Sequence, residues 1–284
     1  MSTVTAYAPT SVPAAGLTAL VRGEVLKIRT TRLWWGLLLG GIALVTLFAV
    51  LFAALADPGT TTGTEGGPQV SLSPDSPATL RVIYGTGFVY GYFLPLVLGI
   101  IGMTGEYRHQ TITPTLLAVP RRGRLVAGKV LAYLLAGLAY GVVLTATAVV
   151  AGGTVLLVRG YGLGLGAEGV PRTLALAVLG CGVWAVFGLG LGTLVRNQVL
   201  AIVLTLVFVF ILEGLIGFAL SRFDAGATIA QFLPGAASQA ILAGPAVGEG
   251  FRQLQWWQGA GVLTLYGLVF AGLGAALTTR RDVT

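Results

Sequence analysis

The chain has 284 residues, of which 55% are hydrophobic, 43 are Gly and only 10% are charged, with 17 Lys and Arg against 10 Asp and Glu. An ordinary soluble domain carries about 25% charged residues, so this composition excludes a single water-soluble core and points to a bilayer. Several apolar runs reach the roughly 20 residues a helix needs to cross one. Because these runs are apolar on all sides instead of alternating over about ten residues, a β-barrel is excluded too.

Residues 1–14 read as a disordered leader. They lack the basic residues and compact apolar stretch of a cleaved signal, so the first span serves as the insertion signal. Next, "LTALVRGEVLKIRTTR" sets Leu17, Leu20, Val21, Val25 and Ile28 near one helical face and Arg22, Arg29 and Arg32 near the other, the pattern of an amphipathic helix lying in a membrane interface. A first span is expected over about 33–56, opened by Trp34 and Trp35 as an aromatic belt. It contains Gly36 and Gly40, a spacing that lets helices approach closely. The Gly-, Thr-, Ser- and Pro-rich stretch 57–79 reads as a mobile outer loop. A second span over about 80–103 holds a similar pair, Gly87 and Gly91, and Pro95, which predicts a kink. Either glycine pair marks a subunit interface or a contact within the chain.

The longest segment on the basic side follows, "GEYRHQTITPTLLAVPRRGRLVAGK". Thr113 supplies a capping hydroxyl and Pro114 fits a first helical turn. The helix begun there runs barely two turns, through Thr115, Leu116, Leu117, Ala118 and Val119, before Pro120 ends it. Short and apolar between charged flanks, it reads as a docking element. Further on, "GRLVAGKV" lies one residue from a phosphate-binding loop, with Gly123, Gly128 and Lys129 in place and Val130 where Ser or Thr should hold magnesium. No strand precedes it and an apolar span follows, so nucleotide binding is not expected there.

Further spans are expected over about 130–158, 173–195 and 199–220. The fourth contains the single cysteine, Cys181, and Trp184, both read as packing residues. The fifth carries Glu213, about 21 Å along the span from Val199. An intramembrane carboxylate costs about 2–3 kcal/mol unless solvated or paired. Two readings stand for Glu213: a residue lining an outward-facing substrate cavity or gate, or an acceptor for backbone donors of the turn that follows. That turn lies in "ATIAQFLPGAASQAILAG", an apolar stretch interrupted at Pro234 and Gly235 and too broken to cross. It reads as a re-entrant apolar hairpin, with Phe232 and Pro234 at the candidate outer gate. A last span over about 258–278 follows Trp256 and Trp257.

Twelve of the 17 basic residues and three of the 10 acids fall on the side of the N-terminus, so both termini are expected in the cytoplasm. Anionic lipid headgroups account for the positive balance without nucleic acid. The only histidine, His109, gives no constellation for a Ser-His protease or a His-ligated metal. Apart from Glu213 the spans lack the buried ionisable groups a proton-coupled carrier needs.

The fold class is thus an all-α integral membrane protein: a single domain over residues 15–284 with six transmembrane helices, a preceding interface helix and a re-entrant hairpin before the last span. With this topology, Glu106, Arg108, Thr111, Pro120, Arg124 and Lys129 resemble the layout of the cytoplasmic loop in permease subunits of type-2 ATP-binding-cassette (ABC) exporters. "FLPGAA" occupies a similar position before the last span. The resemblance implies that Thr113 to Val119 form a coupling helix, with Glu106 and Arg108 beside it. It further implies a bacterial plasma-membrane complex of two permease chains, identical or homologous, and two copies of a separate ABC ATPase that holds ATP and magnesium. The permease would then have no catalytic, cofactor or metal site of its own, and the complex would export a hydrophobic or amphipathic drug, lipid, glycan or peptide. The alternatives are a non-transporting sensor or immunity subunit for a lipid-like antibiotic and, less favoured, a secondary carrier.

Overall fold

The computed structural model describes residues 16–58, 61–62, 70–71, 73–110, 122–195, 197–220, 222–242 and 254–281. Helix α1 (Leu17–Thr30) leads through a two-residue bend into α2 (Leu33–Leu55). A pair of two-residue antiparallel strands, Thr61–Thr62 and Val70–Ser71, lies in the loop after it. Then come α3 (Pro77–Val89), α4 (Phe93–Arg108), α5 (Arg122–Val158) and α6 (Val170–Leu194). The fifth span is α7 (Gln198–Val207), a π-helical turn at Phe208–Leu212, and α8 (Glu213–Leu220). Two short helices, α9 (Asp224–Ala230) and α10 (Pro234–Ile241), precede α11 (Trp256–Arg281). Six helical stretches are long and apolar enough to cross a membrane: Leu33–Leu55, Pro77–Arg108, Gly123–Val158, Val170–Leu194, Gln198–Leu220 and Trp256–Gly274.

The fourth span, α6, is the hub. Buried residues make up 72% of its apolar stretch, against 22% for the first and fifth spans, and it packs on α4, α5 and α11. Glycine permits this closeness. A Cβ on Gly188 would stand 2.1 Å from the Leu96 carbonyl oxygen, one on Gly99 2.2 Å from that of Ala185, and one on Gly190 2.2 Å from that of Gly267. Around this contact Trp184, Phe187, Leu96, Ile100 and Leu263 form the main core.

Of the glycines singled out in the sequence, Gly87 meets the backbone of Leu144 on α5, where a Cβ would be 2.8 Å from the carbonyl oxygen. A Cβ on Gly91 would crowd the Leu144 side chain and the Gly87 carbonyl. Gly36 and Gly40 are exposed and face open space. One pair is therefore spent inside the chain and the other is not.

The second span is interrupted rather than bent. Pro95 cannot donate to the Gly91 carbonyl, which instead accepts from Leu94 N at 3.0 Å. The helix breaks between Val89 and Phe93 just before the proline, as its missing donor and ring demand. The third span differs more from expectation. The sequence places its start at Val130, but α5 begins at Arg122 and runs 37 residues, about 55 Å against a hydrocarbon core of about 30 Å. Gly123 to Val130 are therefore helical, and the stretch that imitates a phosphate loop is not a loop.

Candidate functional site

The extra two turns of α5 carry Lys129 into the molecule. On α1, Leu20, Val21, Val25 and Ile28 are half-buried as the spacing predicts, Leu17 at the first turn is exposed, and the most enclosed residue on that face is Glu24, 4% exposed. Helix α1 lies close on α5 at Gly128, where a Cβ would stand 2.9 Å from Leu20 Cβ. Near the C-terminus of α4, Glu106 turns inward and is 6% exposed. Lys129, 4% exposed, reaches both acids.

Together these side chains form a closed cluster of four charges. Lys129 Nζ donates to Glu24 Oε1 at 2.9 Å and to Glu106 Oε1 at 2.5 Å. Lys27, one turn from Glu24, donates to the same two oxygens at 2.8 Å each from a half-exposed position. Two acids and two ammonium groups balance, which is the condition for tolerating charges out of water. Burial works against the Lys27 ammonium, but its hydrogen bonds to Glu106 and Glu24, with the charges behind them, outweigh it and hold its pKa above the ordinary lysine value. Glu106 Oε2 is buried with no hydrogen-bond partner among the described residues. Tyr133, one turn above Lys129, sets its hydroxyl against Gly102 of α4, where no side chain could fit. The cluster thus fastens α1 to the ends of the second and third spans.

The sequence singles out Glu106, and Lys129 in the same family-like layout, but neither their pairing nor Glu24 and Lys27. Glu24 falls on the Leu17, Leu20, Val21, Ile28 stripe at helical spacing, and an acid in an apolar stripe was the available signal. Lys129 is named in the resemblance, but a third span starting at Val130 leaves it in a loop and gives no reason to pair it with Glu106. Arg108 is exposed at the last residue of α4, where its charge suits the negative end of the helix, and it does not join the cluster. Thr113, Pro114, Thr115, Leu116, Leu117, Ala118 and Val119 lie outside the described residues.

A second polar arrangement lies at the other end of the spans. The π-helical turn Phe208–Leu212 delivers Glu213 inward, 7% exposed, while Gly214, Leu215 and Ile216 stay outside. Glu213 Oε1 accepts hydrogen bonds from the backbone N–H of Gly235 and from that of Ala236, the latter at 3.2 Å. These are first-turn donors of α10, which begin without partners in their own helix. A Cβ on Gly235 would stand 2.7 Å from this oxygen, so glycine there lets the carboxylate approach. Glu213 and Pro234 are thereby brought together, Pro234 being buried at the start of α10. Phe232 has a largely exposed side chain, and its carbonyl accepts from the Tyr266 hydroxyl at 3.2 Å. From the other side Trp184 Nε1 donates to Ser238 Oγ at 2.9 Å, tying α10 to the hub helix. Cys181 and Trp184 are both wholly buried.

Six apolar helical stretches, one of them a glycine-lined hub, with a neutralised charge cluster at one end, define a multi-pass membrane protein. Residues 20–212 match the family described as ABC-2 family transporter protein, and the chain belongs to that family. It is an ABC transporter permease component, and membership implies association with an ABC ATPase. Comparison with curated proteins gave no match. The family match spans Glu24, Lys27, Glu106 and Lys129 and stops one residue before Glu213, leaving the hairpin and last span beyond it.

Proposed function

We propose that this chain is the permease half of an ATP-driven exporter in a bacterial plasma membrane, with both termini in the cytoplasm. Two permease chains, identical or homologous, would frame the path, and two copies of a separate ATPase would hold ATP and magnesium. The similarity to type-2 ABC exporters supports a hydrophobic or amphipathic substrate, a drug, lipid, glycan or peptide.

The charge cluster carries this reading. In the chain, residues 111–121 connect α4, which carries Glu106, to α5, which carries Lys129, and Thr113 to Val119 would be the coupling helix, with Glu106 and Arg108 preceding it. Since Lys129 and Glu106 bind the two ends of the segment to each other and to α1, a push on the segment moves three helix ends as one body. The carbonyl-to-glycine contacts of α4 with α6 would pass that movement to the hub, and Trp184 to Ser238 would pass it to α10. At the far end Glu213, Phe232 and Pro234 would form the outer gate, with Glu213 holding α10 by its first-turn amides.

Substituting Leu116→Glu or Leu117→Glu tests the assignment. The expected outcome is a permease that still inserts and elutes as a folded species but no longer co-purifies with its ATPase or stimulates ATP hydrolysis. Normal association and transport in both variants would overturn the placing of the coupling helix.

A further inference from the structure

At the end of the spans opposite the charge cluster, the first turns of α3 and α6 meet around a cavity of about 280 Å³ lined by Pro77, Arg81, Glu168, Gly169, Arg172 and Leu242. The first turn of a helix presents unpaired N–H groups and a positive partial charge, so cations are ordinarily placed at the other end. Here the arrangement is reversed. Arg172 stands in the first turn of α6 and Arg81 in the second turn of α3, and neither helix has an acid in its first turn.

Among the described residues neither guanidinium is ion-paired, and Glu168 on the same wall pairs with neither. The Arg81 hydrogen bond is spent on its own helix, from Nε to the Pro77 carbonyl at 3.3 Å. Its position is nevertheless built. Gly169 has φ of +77°, and a Cβ there would stand 3.1 Å from Arg81 Cδ and 3.3 Å from Nη1. The left-handed glycine both starts α6 and leaves room for Arg81 to lie against that start. Two guanidiniums and two positive helix ends therefore face one cavity with a single carboxylate beside them.

We propose that this cavity binds an anionic phosphate group, carried by a lipid headgroup or free in solution. Guanidinium forks match phosphate oxygens in pairs; Pro77 and Pro171 carry no N–H, and the Thr79 and Val170 amides already donate to Ser76 Oγ and to the Ala167 carbonyl, so the two helix ends contribute chiefly their positive partial charge. Pro77 and Leu242 supply an apolar wall for the carbons of a phosphate ester. The Glu168 carboxylate opposes a second negative charge, so a monoanionic diester fits better than a dianion.

The test uses the full-length permease in a neutral detergent, with phosphatidylglycerol, a diacylglycerol of the same acyl chains, and inorganic phosphate as probes. Native mass spectrometry reads the retained lipid, and the melting temperature reads the response to phosphate. Wild type is expected to retain one phosphatidylglycerol at least ten-fold better than diacylglycerol. Arg81→Gln with Arg172→Gln should abolish that preference, and Glu168→Gln should strengthen it. A melting temperature raised by inorganic phosphate in wild type and not in the double variant identifies the free anion as a ligand. An effect of phosphatidylglycerol alone identifies the headgroup. Equal retention and equal phosphate response in wild type and double variant would overturn the site, as would weaker binding by Glu168→Gln, which decides the matter even if the double variant does not fold.

Discussion

Replacing Lys129 by Met keeps the unbranched stem that packs between α1 and α4 and removes only the ammonium. Lys129 holds two carboxylate oxygens at 2.9 and 2.5 Å, with all three side chains 5–7% exposed. Without it Glu24 and Glu106 face each other and share Lys27, whose side chain is 49% exposed. Removing one partner of a buried pair costs about 3–5 kcal/mol. Because Lys27 remains, the low end applies, about 3 kcal/mol, or a melting temperature lowered by roughly 6–12 °C at about 2–4 °C per kcal/mol. The assay is thermal unfolding of the detergent-solubilised protein followed by size-exclusion chromatography. A second substitution, Glu24→Gln in the same chain, restores charge balance. If the cluster acts as a unit, the double variant recovers about half the loss, which with the cost of Glu24→Gln alone makes a coupling of at least about 1.5 kcal/mol, whereas independent sites add within about 0.5 kcal/mol. A fall below 2 °C in the single variant, or simple addition in the double, would refute the reasoning.

Other expectations follow from single contacts. Glu213→Ala strands the Gly235 and Ala236 amides and should cost about 1–3 kcal/mol, while Glu213→Gln keeps an acceptor and should cost less. Equal losses in melting temperature for the two would contradict the capping role, and unchanged transport with lowered stability in Glu213→Gln would contradict a cavity role. Gly188→Ala forces a methyl onto the Leu96 carbonyl and should lose about 1–3 kcal/mol. Gly36→Ala meets nothing among the described residues, so a drop in its assembly on native gels, with an unchanged melting temperature, would locate a subunit contact there. Raising pH tests Lys27: with its pKa above the ordinary value in the folded protein, its contribution is intact through neutral and mildly alkaline pH and fades only as pH rises through that raised pKa. Lys27→Met should flatten this alkaline loss in a melting-temperature profile.

Apolar runs, a shortage of charge and the placing of Lys and Arg are properties of the chain itself. A bilayer converts them directly into helices and their number, because backbone groups in lipid must bond within the segment. For this reason six spans, and an interruption before the last of them, are legible in the sequence alone. Pro95 likewise announces its break through chemistry local to a few residues. What needed the tertiary structure is everything that depends on which faces meet. Nothing in the sequence separates Gly188, pressed on a carbonyl of α4, from Gly36, facing open space, since both are glycines in apolar helices. Lys129 reads as a loop residue until α5 is seen to extend below the expected span and turn it toward two acids, 23 and 105 positions away along the chain. Glu213 shows a carboxylate in an apolar span, but only the π-helical turn and the return of α10 decide that its oxygen meets backbone amides. Local sequence sets hydrophobicity and breaks; pairing of buried charge and close backbone contact are long-range, and only the folded chain determines them.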